Sequence, residues 1–106
     1  LYLNAAEANG TGRQSTDGFV LFAGSKLRAE MTESVPAAAR ENRSRYSNRV
    51  NSAGELQRDT LFGSPSAAAS FLLGTSVNGR VVWKNDSGQT LREIEESEAK
   101  AVAETF

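Results

Sequence analysis

Apolar positions in this chain fall into short runs divided by turn residues, with strand-like spacing in some runs and helix-like spacing in others. Phe19-Val20-Leu21-Phe22-Ala23 is a continuous apolar run rich in aromatic and branched side chains, which suits a buried central strand. Asp17-Gly18 turns the chain into this run, and Gly24-Ser25 breaks it. From Lys26 to Met31 the pattern alternates strictly, with Leu27, Ala29 and Met31 against Lys26, Arg28 and Glu30. Gly18 to Met31 is therefore predicted as a hairpin. Leu1-Tyr2-Leu3 reads as the remnant of a first strand. Asn4 to Thr16, rich in Ala, Gly and Asn, reads as a loop with at most one helical turn.

Helical spacing appears next. Ser34 as N-cap and Pro36 just inside the start predict a helix from Pro36 to about Ser52, with Ala39, Tyr46, Val50 and Ala53 on one face. Arg43 lies at the margin of that face, while Arg45 and Arg49 lie four residues apart and project outward. Gly54 ends the element and Thr60-Leu61-Phe62 forms a short strand. Ser64 then sits as an N-cap before Pro65 at the first helical position. Ala67 to Ala69 keep one face thin, Phe71 and Leu72 anchor the core, and Gly74 stops the helix. Asn78-Gly79 suits positive φ angles and predicts a turn into a strand, Arg80 to Lys84, closed by the loop Asn85 to Gly88. Thr90 and Glu93 have capping-box spacing for a last helix whose buried stripe is Leu91, Ile94, Ala101 and Val102. Together these elements predict an α+β fold: a small, mostly antiparallel sheet of about four to six strands packed with about three helices.

The length of 106 residues suits one domain spanning residues 1–106. A formal net charge of −1 gives no global attraction to nucleic acid or to anionic membrane. Charge is nonetheless uneven. Five arginines (Arg40, Arg43, Arg45, Arg49, Arg58) stand against Glu41 and Glu55 between Pro36 and Arg58, and five glutamates stand against Lys100 from Glu93 to Glu104. With neither cysteine nor histidine the chain has no disulfide, no thiolate metal site and no imidazole base. Ser64 and Ser66 have no base partner in view, and Glu93, Glu95 and Glu96 form no recognisable acid–base pair, so the expectation is no enzyme, no metal and no cofactor. No apolar run approaches the roughly 20 residues that span a bilayer, so no membrane partner is expected and a cytoplasmic location is the default.

Four segments carry a family resemblance: FVLFAGS (Phe19–Ser25), FGSPSAAA (Phe62–Ala69), GTSVNGRVVWK (Gly74–Lys84) and GQTL (Gly88–Leu91). They resemble a bacterial domain of unknown function that is commonly C-terminal to GIY-YIG-type endonucleases and restriction-related proteins. The order SPSAAA, NG, W is also similar to the RAMA domain, associated with restriction enzymes and adenine methylases, although Arg80 stands where that pattern commonly has an aromatic residue. The resemblance covers about Leu1 to Glu95. It implies a non-catalytic accessory module that binds DNA, methylated or not, beside a covalently linked catalytic domain. The start at Leu1 rather than methionine fits an excised C-terminal domain with that enzyme upstream.

The candidate nucleic-acid-binding residues are Ser64, Ser66, Asn78, Arg80, Trp83, Lys84, Arg45 and Arg49. Ser64 and Ser66 at a helix N-terminus offer hydroxyls and backbone N–H groups to a phosphate, or simply cap the helix. Asn78 brings backbone close to a ligand, or only makes a turn. Trp83 stacks on a base or fills the core. On a strand, Arg80 and Lys84 share a face and join Arg45 and Arg49 in positioning phosphates. The competing class is a protein-interaction or structural module, with the acidic last helix or the arginine helix docked on the catalytic domain.

Overall fold

Phe19 and Leu21 are fully buried while Val20 between them is only partly covered, so the central apolar run is a strand with one face on the core. In the computed structural model, which describes residues 1–105, it is one of four antiparallel strands in the order β1 (Tyr2–Ala5), β2 (Ala8–Ser15), β3 (Gly18–Leu21) and β4 (Thr60–Phe62). The helices are α1 (Ala37–Arg45), α2 (Pro65–Leu73), the single turn α3 (Gly79–Val82) and α4 (Leu91–Thr105), with a 3-10 turn at Ser47–Arg49. This is the expected α+β class. Among the described residues no helix is long and apolar enough to cross a membrane.

The segment Asn4 to Thr16 is not a loop. It holds the end of β1, a turn with Glu7 in the left-handed region (φ 63°), and all of β2. Its inward positions are Ala8, Gly10 and Gly12, because large side chains from elsewhere fill the space above them. A Cβ on Gly10 would lie 2.6 Å from Leu72 Cδ1, and one on Gly12 would lie 2.4 Å from Phe19 Cε1. Small residues here let α2 lie directly on the sheet. Above them Phe19 packs on Trp83 with ring centroids 4.6 Å apart, and Tyr46, Phe62 and Phe71 form a second aromatic group.

Lys26 to Met31 is likewise not a strand. Only Lys26 makes ladder contacts, bridging Asn9 and Glu55, and Leu27 is buried while Ala29 and Met31 are exposed. The segment serves the C-terminal end of α2 instead. Arg28 N donates to Leu72 O (2.8 Å) and its guanidinium reaches Leu73 O, while Arg43 donates to Phe71 O (2.9 Å) and Leu72 O (3.1 Å). Two guanidiniums thus satisfy carbonyls that the helix cannot pair internally. Burial first, and the charge of Arg28 second, lower the Arg43 pKa from its ordinary value.

The predicted helix from Pro36 to Ser52 stops at Arg45. Asn51 Oδ1 accepts from the N–H groups of Ala53 and Glu55, and Arg49 O accepts from Gln57 N. The chain therefore reverses where the helix was expected to continue. Ser34 does not cap α1: its hydroxyl joins those of Thr32 and Thr75, and Pro36 takes the cap position. The last helix opens as expected, with Glu93 N bonded to Thr90 Oγ1 at 3.2 Å. Its apolar stripe is covered only at the start. Leu91 is buried and Ile94 half-buried, while Ala101 is exposed and Val102 is 59% exposed.

Candidate nucleic-acid interface

Ser64 to Trp83 folds as a clasp between the start of α2 and the turn α3. Ser64 Oγ accepts from Ala67 N (3.1 Å), and Pro65 fills the first helical position. Ser66 Oγ accepts from Gly79 N at 2.9 Å, and the Trp83 indole N–H donates to Pro65 O at 3.0 Å. Gly79 presses on the same peptide: a Cβ there would lie 2.3 Å from Pro65 C and 2.4 Å from Ser66 N. Its φ is not positive, so glycine is needed for close approach rather than for a turn. Asn78 Oδ1 accepts from Arg80 N and so starts a helical turn, where the sequence predicts a hairpin turn and a strand.

These contacts decide most of the candidate positions. The hydroxyls of Ser64 and Ser66 each accept a hydrogen bond inside the fold, and Ala67 N and Ala68 N bond to Ser64, so these groups cap and clasp the helix start. Trp83 is 0% exposed, so its rings stack on Phe19 and not on a base. Arg80 and Lys84 do not share a strand face. Arg80 lies on the helical turn and pairs with Glu95, the only ion pair among the described residues. Lys84 leaves the turn extended and bridges Tyr2, each backbone N–H donating to the other's carbonyl.

Arg45 and Arg49 remain at the surface but not on one helix. Arg45 is exposed at the end of α1, with no side-chain partner among the described residues. Arg49, in the 3-10 turn, lies 5.0 Å over the Tyr46 ring and donates to Thr60 Oγ1 at 3.3 Å. The Thr60 hydroxyl in turn donates to the Arg58 backbone carbonyl (2.9 Å) at the entry to β4. Neither Arg49 nor Arg58 faces a carboxylate within ion-pair distance among the described residues. Arg45 at the end of α1, Arg49 against β4 and Arg58 two residues before β4 make up the basic edge. Lys84 sits beyond β1 on the opposite side, so about four strand spacings, roughly 19 Å, separate it from this edge.

Sequence reasoning missed Arg58 as a site residue, although it counted that arginine in the basic segment. It also missed the residues that β2 turns outward. The signal was present: Ala8, Gly10 and Gly12 alternate with Asn9, Thr11 and Arg13, a period-two pattern hidden because small residues were not counted as inward-facing. Comparison with curated proteins and with solved structures finds no match for this chain. One family model does match, over residues 1–95, and the chain therefore belongs to the family described as a domain of unknown function, DUF4357.

Proposed function

We propose that this domain is a non-catalytic accessory module that binds nucleic acid, working beside a DNA-processing enzyme of the nuclease or restriction-modification kind. The observation that carries the reading is the basic edge: Arg45, Arg49 and Arg58 have no carboxylate partner among the described residues. Surface arginines left unpaired in a chain of net charge −1 form a local positive field that suits phosphates. The resemblance to domains found with GIY-YIG endonucleases and to the RAMA domain supplies the enzymatic context and the interest in methylated DNA.

A fluorescence titration with duplex and single-stranded DNA, methylated and unmethylated, at several salt concentrations tests the reading. Binding at micromolar protein that weakens steeply with salt is expected. The double variant Arg45→Glu, Arg49→Glu should lose at least tenfold in affinity for all sequences alike. Absence of salt-sensitive binding would remove nucleic acid from the account. It would leave the second reading, docking on a catalytic domain, which the near-zero net charge favours.

A further inference from the structure

The first strand has an open edge on the side away from β2. Tyr2 turns its backbone to that side, its N–H donating to Lys84 O (2.7 Å) and its carbonyl accepting from Lys84 N (2.9 Å). Alternation along the strand points the N–H and C=O of Asn4 the same way. Asn4 stands opposite Asn9, whose own N–H and C=O both pair with Lys26, so the two do not bond across the ladder. Asn4 therefore presents one main-chain donor and one acceptor to solvent, without a partner among the described residues. Lys84 cannot extend the pairing to them, because the chain just before it winds into α3.

Beside this open pair, between β1 and α3, runs a groove of about 700 Å³. Leu3 and Leu73 are buried in its floor, while Tyr2 (45% exposed) and Val81 (44% exposed) stand on its rim. We infer that the β1 edge takes an extended peptide as an added strand, antiparallel to β1, with an apolar side chain seated in this groove. The peptide exchanges both main-chain bonds with Asn4 and so continues the ladder that Lys84 begins. The pleat then turns its next residue, alongside Ala5, toward the core face over Leu73 and Val82. Charge fits an uncharged segment. Lys84 and Asp86 are the only charged residues lining the groove; they are opposite in sign, and Asp86 bonds to Tyr2. The groove lies on the β1 side of the sheet and the basic edge on the α1 and β4 side, so the two stand or fall separately.

The test pans phage-displayed random heptapeptides on the immobilised domain, then titrates the enriched sequences as synthetic peptides into isotope-labelled domain by NMR. Sequences with a branched aliphatic or aromatic residue should be enriched, and their binding should shift the amides of Asn4, Val81 and Val82. Asn4→Pro removes an outward N–H that the sheet does not use, and should weaken binding about tenfold, the worth of one unmade main-chain bond. Asn4→Ala, which keeps the main chain, should bind like the parent. Peptides N-methylated at each position in turn put the same question from the ligand side, should Asn4→Pro disturb the fold: one position should lose about tenfold. Failure to enrich any sequence would overturn the inference. So would peptides that leave the Asn4 amide unshifted and bind regardless of N-methylation. Either result leaves the salt-dependent DNA titration of the basic edge untouched.

Discussion

The clasp at Ser64 to Trp83 and the basic edge at Arg45 to Arg58 spend their polar groups in opposite ways. In the clasp, Ser64, Ser66, Asn78 and the Trp83 indole each have a partner inside the fold. At the edge, among the described residues, Arg45 and Arg58 have no side-chain partner, and Arg49 has only a hydroxyl and a ring. The most recognisable residues are therefore those that hold the chain together. A ligand must be sought where donors are left over. A buried donor or acceptor without its partner costs about 1–3 kcal/mol, so residues of the clasp can be replaced only together. Charges on the surface can be exchanged at almost no cost to stability.

The largest effect should come from the centre of the clasp. Trp83→Ala removes a fully buried indole, its contact with Phe19 and the donor to Pro65 O. The expected loss is about 3–5 kcal/mol, read as a shift in the midpoint of chemical denaturation. For a domain of this size such a loss can exhaust most of the stability. A variant that unfolds within about 1 kcal/mol of the parent would show that the indole is not a core group.

Gly79→Ala should come next, and its sign separates two ideas. Helix propensity alone favours alanine over glycine by up to about 1 kcal/mol. The packing says otherwise, because the new methyl would stand 2.3–2.6 Å from the Pro65 and Ser66 backbone, which is not a flexible side chain. Overpacking of this kind costs about 1–3 kcal/mol, so the net result should be destabilisation. A neutral or raised melting temperature would mean that α3 is free to move off α2, and the clasp would then be looser than its distances state.

The same contrast governs what could be read from residues alone. Ser64, Pro65 and Gly74 bound α2 by local chemistry, and each signal was legible: a cap, a missing N–H, and a left-handed stop at φ 66°. Thr90 and Glu93 were legible for the same reason. β2 was not, because its inward Gly10 and Gly12 owe their size to Leu72 and Phe19, which are distant in sequence or on the neighbouring strand. Alternation from Lys26 to Met31 was misleading because that backbone bonds to the end of α2 rather than to a strand. Asn78-Gly79 carries a hairpin signal, yet Asn78 caps a helical turn and Gly79 serves the clasp. A dipeptide does not reveal which surface it will touch. Of the candidate site, the positions of Arg45, Arg49 and Lys84 at the surface were legible. Their separation across the sheet was not, because it depends on β2, which read as a loop, and on its pairing with β1 and β3.

The smallest effect on stability is expected at Arg45, and there the comparison becomes sharpest. Its side chain is exposed at the end of α1 and makes no contact that folding requires. Arg45→Glu should therefore change stability by no more than about 0.5 kcal/mol. A small loss within that range is expected, since the helix C-terminus favours a cation. If the edge binds phosphates, the same substitution should weaken nucleic-acid binding and lower the salt slope by about one phosphate contact. Arg45 would then be a residue whose substitution affects binding while leaving the fold intact, the inverse of Gly79. A melting temperature that falls by as much as it does for Gly79→Ala would place Arg45 among the structural residues and erase the distinction between the two regions.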